Sequence, residues 1–200
     1  DLGRIWHRHL GDRGEAERAY QRAFALDGEF PSALEGLSEL LLETGRIDEA
    51  ARLLERLTVR LRGPERAPCW LALGRLHAGV SGDRERARSC FAAALEDDPL
   101  LTAAVEWSLL LATEAEDWET VASLLEHRFD LAAGARHRAS IAVEASQIHL
   151  HQRHSAASAR AWLERASELA EDEGAVLRAR ADVERAEGND EALAGVLERL

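Results

Sequence analysis

The sequence contains no methionine and no lysine, and aromatic residues make up only 5% of its 200 positions. Its two cysteines, Cys69 and Cys90, are too few for the disulfide framework of a secreted scaffold. No apolar run approaches the length of about 18 residues that a membrane-spanning helix needs. The N-terminus also lacks the basic and then apolar segments of a signal peptide. These absences predict a cytoplasmic protein in a reducing compartment.

The charge and composition exclude further classes of protein. Acidic residues outnumber basic ones by 37 to 25, and every basic residue is an arginine, so the net charge is −12. Such an excess of negative charge repels phosphate backbones, and we therefore expect no nucleic-acid partner. Apolar residues make up 46% of the chain, which is too many for a disordered protein. Alanine, leucine, glutamate and arginine dominate, and this predicts an all-α protein.

Residues 68–99 carry a pattern of large and small side chains in two parts. The first part has the spacing W-x2-L-G-x2-aromatic, and the second has the spacing A-x3-F followed by a proline. One extra residue falls in the turn between them, near Ser81. The residues of the pattern are Trp70, Leu73, Gly74, His77, Ala87, Phe91 and Pro99.

A small residue recurs along the whole chain with a period close to 34 residues. Successive positions are separated by 34, 37, 34, 38 and 33 residues. They are Ala16, Ala50, Ala87, Val121, Ala159 and Ala192. Each falls a few residues after a turn signal, in most cases a glycine followed by a helix-capping residue. The turns are Gly11-Asp12, Gly45-Arg46, Gly82-Asp83, Glu116-Asp117 and Gly188-Asn189, with the polar segment 152–155 in the remaining unit.

These residues resemble the signature of the tetratricopeptide repeat (TPR) family, in a bacterial-type array, with His77 where the family usually has tyrosine. The resemblance implies a right-handed α-solenoid of antiparallel helix pairs with about five to six repeats. Both ends fall inside predicted helices, which indicates a segment of a longer protein or processed termini. As one domain over 1–200, the approximate repeats are 1–29, 30–65, 66–100, 101–134, 135–172 and 173–200.

The repeat at 101–134 departs from the family's pattern at two positions. Leu109 stands where the first helix usually has a small residue, and Arg128 stands at the last small position of the second helix. Helix pairing is expected here as elsewhere, with a different packing at these two positions.

The resemblance implies that the first helix of each pair lines a concave groove and that the second helix forms the convex back. Groove-facing positions lie between the core residues of the first helices, and they combine carboxylates with apolar side chains. An acidic and apolar groove suits a basic or amphipathic peptide or helix of a partner protein. The predicted partner-binding residues are Glu35, Glu39, Leu42, Glu43, Leu71, Arg75, Glu106, Trp107, Leu110 and Glu114.

Some family members hold a partner's C-terminal carboxylate with lysine and asparagine side chains of the groove. This sequence has no lysine, and its single asparagine, Asn189, falls in a turn. We therefore predict no carboxylate clamp of that kind.

The sequence predicts no metal, cofactor or catalytic site. Among His149, His151 and His154, only the last two have the spacing of metal ligands on one helix face, and no cysteine or carboxylate adjoins them. The acidic segment 168–173 lacks the alternating oxygen ligands and central glycine of a calcium loop. No phosphate-binding glycine loop and no nucleophile beside a base is present.

Three functions remain to be compared. The first is a protein-interaction scaffold or adaptor, and the second is a structural or regulatory segment that packs on an attached catalytic or sensor domain. The third is a helical-repeat RNA binder, against which the negative net charge and the absence of lysine argue. We predict the first, with the second as the alternative, and expect no enzymatic activity.

Overall fold

The computed structural model describes residues 2–26, 31–171 and 173–200. It describes every side chain in these ranges except those of Phe24, Pro31, Ser32, Leu34, Glu35, Val80 and Ser81. The described ranges contain twelve α-helices and no strand, which confirms the all-α class. The helices are α1 Leu2–Arg8, α2 Arg13–Leu26, α3 Pro31–Glu43, α4 Ile47–Arg60, α5 Ala67–Leu76, α6 Arg84–Asp97, α7 Thr102–Glu114, α8 Trp118–Leu131, α9 Ala135–His151, α10 Ala156–Ala170, α11 Gly174–Glu187 and α12 Asp190–Arg199.

The chain divides into two compact units, of which the first is Asp1–Ala104. In this unit α1 packs on α2, α3 on α4 and α5 on α6, and each pair reaches the next through α2 with α3 and α4 with α5. Helices α1 and α3 also contact each other, so these two first helices are neighbours. This is the arrangement in which first helices share one face.

Glycines on first helices let the aromatic residues of the first unit pack closely. A Cβ atom on Gly74 would lie 2.4 Å from the ring of Phe91, and one on Gly3 would lie 2.5 Å from the ring of Tyr20. Each ring follows its glycine by the same number of residues, so one contact is used in two repeats. Gly36 approaches the same Tyr20 ring from α3, where an added Cβ atom would lie 2.3 Å from the ring. Only glycine leaves room for the rings at these three positions.

The small residue that defines the period lies inside the core. Five of its six positions are at most 2% exposed, namely Ala16, Ala50, Ala87, Val121 and Ala159. Ala192, at the sixth position, is half-buried. A larger side chain at the five buried positions would separate the helices that meet there.

The turns between paired helices have a residue at positive φ, and the sequence predicts this for the turns that contain glycine. Glycine occupies this position in four turns, with φ between 64° and 75°, at Gly11, Gly45, Gly82 and Gly188. In most of the pairs the next helix is then capped by a side chain that accepts a backbone N–H bond. The capping residues are Asp12, Asp83, Asp117, Ser155 and Asn189.

Two turns of the second half use a larger residue at positive φ. Glu116 has φ of 55° and His154 has φ of 51°. Left-handed backbone costs an L-residue about 1–2 kcal/mol relative to glycine. The helix pairs therefore hold these two residues in an unfavourable conformation.

The extra residue of the third repeat is taken up by a π-helical turn. Helix α5 continues into this turn over His77–Ser81, and Gly82 follows with φ of 64°. A π-helical turn holds one residue more than an α-helical turn. The insertion predicted near Ser81 therefore leaves the pairing of α5 with α6 intact.

The second unit is Val105–Leu200. Here α9 packs on α10 and α11 on α12, and α9 also contacts α8 and α11. Leu109 is 6% exposed, so a large residue is buried where the family usually has a small one. The rings of Phe129 and Trp162 pack edge to face, with 5.5 Å between their centroids. The guanidinium carbon of Arg165 lies about 4 Å from the centroid of each ring. The assembly of all six pairs into one domain stays a prediction.

We expect Gly74→Ala to lower the free energy of unfolding by about 1–3 kcal/mol, because the added methyl group meets the Phe91 ring. Gly14→Ala is the control, since its Cβ would make an ordinary contact of 3.5 Å with Asp12, and it should be neutral or stabilising by up to about 1 kcal/mol. Urea denaturation followed by circular dichroism measures both. Equal stability of the two variants would contradict the close contact.

We expect Glu116→Gly to be more stable than Glu116→Ala by about 1 kcal/mol. Both variants remove the same carboxylate, but only glycine adopts positive φ without strain. The comparison of their urea midpoints isolates the backbone effect. An alanine variant as stable as the glycine variant would show that this turn carries no left-handed strain.

Candidate functional site

Four predicted partner-binding residues lie together in the first unit. Glu39, Leu42 and Glu43 on α3 and Arg75 on α5 line an open pocket of about 720 Å³. The remaining lining residues are His7, Arg8, Gly11 and Arg13. Helices α1, α3 and α5 are first helices of consecutive pairs, and the resemblance to the family assigns their shared face to partner binding.

Two other predicted residues of this unit do not add to the pocket. Leu71 is half-buried on α5 and is not among the lining residues. The side chain of Glu35 lies outside the part of the chain that is described.

Both pocket carboxylates have partners on other helices. Arg8 donates to the two oxygens of Glu39 at 3.1 and 2.9 Å. The Nε2 atom of His7 lies 3.2 Å from Glu43, and a guanidinium nitrogen of Arg13 lies 3.5 Å from the same carboxylate. The hydrogen bond with His7 lowers the pKa of Glu43. Glu43 is therefore held in its charged form.

Arginine exceeds glutamate in this pocket. Arg8, Arg13 and Arg75 face Glu39 and Glu43, so these five side chains carry one net positive charge. Among the described residues Arg75 forms no ion pair, and it is exposed. The first-unit pocket is thus positive within a chain of net charge −12. The sequence pattern did not predict this, because Arg8 and Arg13 precede the residues that it assigned to the groove.

The predicted residues of the second unit lie on α7. Glu106, Leu110 and Glu114 are spaced by four residues, which places them along one side of the helix. All three are exposed, and Leu110 is 47% exposed, whereas Trp107 is half-buried. This side of α7 therefore presents one large apolar side chain between two carboxylates.

Arg128 ties this part of α7 to the following first helix. Its Nε lies 3.8 Å from Glu106, and its Nη2 lies 2.6 Å from Glu144 of α9. Arg128, which stands where the family usually has a small residue, thus contacts two carboxylates on different helices. Its effect is to partly neutralise Glu106.

A buried carboxylate of the second unit lies outside the residues predicted from the sequence. Glu184 on α11 is 1% exposed and receives two hydrogen bonds from Arg160 of α10, at 3.1 and 2.9 Å. It borders a pocket of about 300 Å³ that Leu163 and Val183 also line. A buried carboxylate without such a partner would be strongly destabilising. The signal for it in the sequence was that Glu184 follows the apolar Val183 on the side of α11 that faces the core.

The histidines singled out in the sequence are placed differently from one another. His149 is 8% exposed on α9, whereas His151 and His154 are exposed. In the described residues no three histidine, cysteine, aspartate or glutamate side chains are grouped to hold a metal ion. Both cysteines are buried and neither is part of a disulfide, and burial raises the pKa of Cys90. No helix in the described ranges is long and apolar enough to cross a membrane.

Comparison with known sequences identifies one family. The model of the tetratricopeptide repeat matches residues 8–67. This segment contains the last residue of α1, the helices α2 to α4 and the start of α5. No curated protein gives a significant match to the sequence.

Comparison with solved structures extends the likeness over most of the chain. The MamA protein superposes with a TM-score of 0.61 at 17% identity, over 86% of this chain and 90% of its own. YrrB, a TPR protein with an unusual peptide-binding site, superposes with a TM-score of 0.57 at 16% identity, over 88% of this chain and 87% of its own. The C-terminal part of a TPR repeat-containing protein from Cytophaga hutchinsonii superposes with a TM-score of 0.58 at 14% identity, over 94% of this chain and 72% of its own. These similarities confirm the predicted fold class, an α-solenoid of antiparallel helix pairs.

We expect the free energy of unfolding to fall as the pH drops below about 6.5, the ordinary pKa of histidine. Burial and then the charge of Arg153 lower the pKa of His149, so the unfolded chain takes up a proton that the folded chain resists. The contribution of neutral His149 is complete above this pH and is lost as the pH falls toward the lowered pKa. His149→Leu should flatten this dependence in urea denaturation at several pH values.

His151→Gln is the matched control, because His151 is exposed two residues away. This variant should keep the pH dependence of the unmodified protein. If both variants keep the pH dependence of the free energy of unfolding seen in the unmodified protein, burial of His149 is not the cause of that dependence.

Proposed function

Because residues 8–67 belong to the tetratricopeptide repeat family and the chain has the fold of that family, we propose that this protein is a non-enzymatic interaction scaffold. It binds a peptide or helix of a partner protein along a concave face formed by its first helices. The ten residues predicted from the sequence form one proposed binding surface in each unit, with six residues between Glu35 and Arg75 in the first and four between Glu106 and Glu114 in the second.

The observation that supports this proposal most strongly is the pocket on α1, α3 and α5. It is open, it has a volume of about 720 Å³, and it joins predicted residues from two different repeats. Its walls combine Leu42 with charged side chains, a mixture that suits a peptide with both apolar and polar groups. The structurally similar YrrB has a peptide-binding site, which is consistent with the same use of this fold.

The exposed side of α7 supports the partner chemistry expected from the sequence. Leu110 offers an apolar contact, and Glu106 and Glu114 flank it with negative charge. A basic or amphipathic helix would match this combination. We propose this class of partner for the second unit.

A second candidate function is a regulatory segment that packs on an attached domain of a longer protein. The same exposed Leu110 favours it, since an apolar side chain between carboxylates can be covered by the parent chain as well as by a partner. The cytoplasmic location, the bacterial origin and the absence of catalysis remain predictions. The two buried thiols are consistent with a reducing compartment.

Photo-crosslinking tests the proposed face. A photoreactive residue in place of Leu110 or Leu42 should capture a protein partner in a lysate of the source organism, followed by mass spectrometry. The controls carry the same residue at Ser123 on α8 or Arg22 on α2, both exposed on second helices. With the captured partner in hand, Leu110→Asp should weaken its binding about tenfold.

Crosslinks from the control positions at the same yield would contradict the assignment of the face. Crosslinks from Leu110 to another segment of the same polypeptide in the full-length protein would favour the regulatory function instead. Unchanged binding of the partner by Leu110→Asp would remove α7 from the interface.

A further inference from the structure

The first-unit pocket differs in charge from the acidic groove that the sequence predicts. Its two carboxylates, Glu39 and Glu43, already contact Arg8, His7 and Arg13. A basic group entering the pocket would compete with cations that the fold itself supplies. A carboxylate of a ligand would meet no such competition at Arg75, which forms no ion pair in the described part of the chain.

The arrangement of the arginines favours an anionic ligand. Arg75 on α5 and Arg13 at the start of α2 line the same open pocket, so a ligand reaches both from solvent. Arg13 is 3.5 Å from Glu43, a longer and weaker contact than the 2.9 Å between Arg8 and Glu39. The planar guanidinium group carries several N–H donors and binds carboxylates through two of them. Arg75 and Arg13 therefore retain donors for a second carboxylate.

We infer that the pocket of α1, α3 and α5 holds an acidic segment of a protein partner, with an aspartate or glutamate side chain bound by Arg75 and Arg13. This inference rests on the proposed function, since it names the charge of the peptide that the first-unit face takes. Leu42 on the pocket wall contacts an apolar residue of the same segment. The basic or amphipathic helix proposed for α7 is a separate contact in the second unit.

The negative net charge of the whole chain does not prevent this binding. At physiological ionic strength, charges separated by more than about 8 Å are largely screened. An acidic segment inside the pocket therefore responds mainly to the arginines that line it. The binding is expected to weaken as salt is added, because the arginines are exposed.

Fluorescence anisotropy with defined peptides tests the inference. The probe is a labelled peptide of alternating glutamate and leucine with an amidated C-terminus, so that its only carboxylates are side chains. Matched peptides replace every glutamate by glutamine or by lysine. The acidic peptide should bind more tightly than both, and Arg75→Gln should weaken it about fivefold.

Arg22→Gln is the matched control, because Arg22 is also an exposed arginine, lies on α2 and does not line the pocket. It removes the same charge from the same unit and should leave the affinity for the acidic peptide unchanged. Circular dichroism confirms that both variants are folded. Arg75→Glu should abolish binding of the acidic peptide.

Several results would overturn the inference. They are failure of the acidic peptide to bind, equal binding of the glutamine peptide, and equal loss of affinity in Arg75→Gln and Arg22→Gln. Binding only when the peptide has a free C-terminus would also overturn it, because the ligand would then be a terminal carboxylate. If the lysine peptide binds best and a photoreactive residue at Leu42 crosslinks to it, the proposed interaction face stands while the inferred charge is wrong.

Discussion

Close contact between a small residue on one helix and a large residue on its neighbour is the constraint on which the packing of this protein depends. In the first unit the aromatic rings of Tyr20 and Phe91 lie against glycines, and any Cβ atom there would overlap the ring. The repeat places this contact in the first and the third pair, so these two pairs pack in a similar way. Tyr20 lies against glycines of both α1 and α3, so this contact limits how far apart these two helices of the pocket lie.

The backbone conformation of the turns is less constrained than the packing of side chains between the helices. Glycine ends four of the turns, but Glu116 and His154 adopt positive φ in two others, where the flanking helices hold them. A π-helical turn over His77–Ser81 absorbs an inserted residue in the same way. Insertions and strained residues are tolerated in the turns because few side chains pack there, whereas a change of one methyl group is not tolerated where helices touch.

Several ion pairs of this protein, unlike its turns, depend on residues that are far apart in the sequence. Glu39 and Glu43 look like free carboxylates on an exposed helix face, yet arginine and histidine side chains of α1 and α2 bind them. Glu184 is buried against Arg160 in the second unit. These partners are far apart in sequence, and no period of the sequence indicates which arginine reaches which carboxylate. The sign of charge in the pocket therefore follows from packing.

The sequence by itself determined the helices, their turns and the core positions, because helix propensity, capping and the spacing of small residues act within a few residues of each other. It also predicted Glu39, Leu42, Glu43 and Arg75 as residues of one face, and these four residues line one pocket. Only the tertiary structure decided that Arg8 and Arg13 join them, that Leu71 does not, and that arginine is in excess. The physical reason is that charge at a surface is a sum over side chains from several helices, and only their packing brings those side chains together.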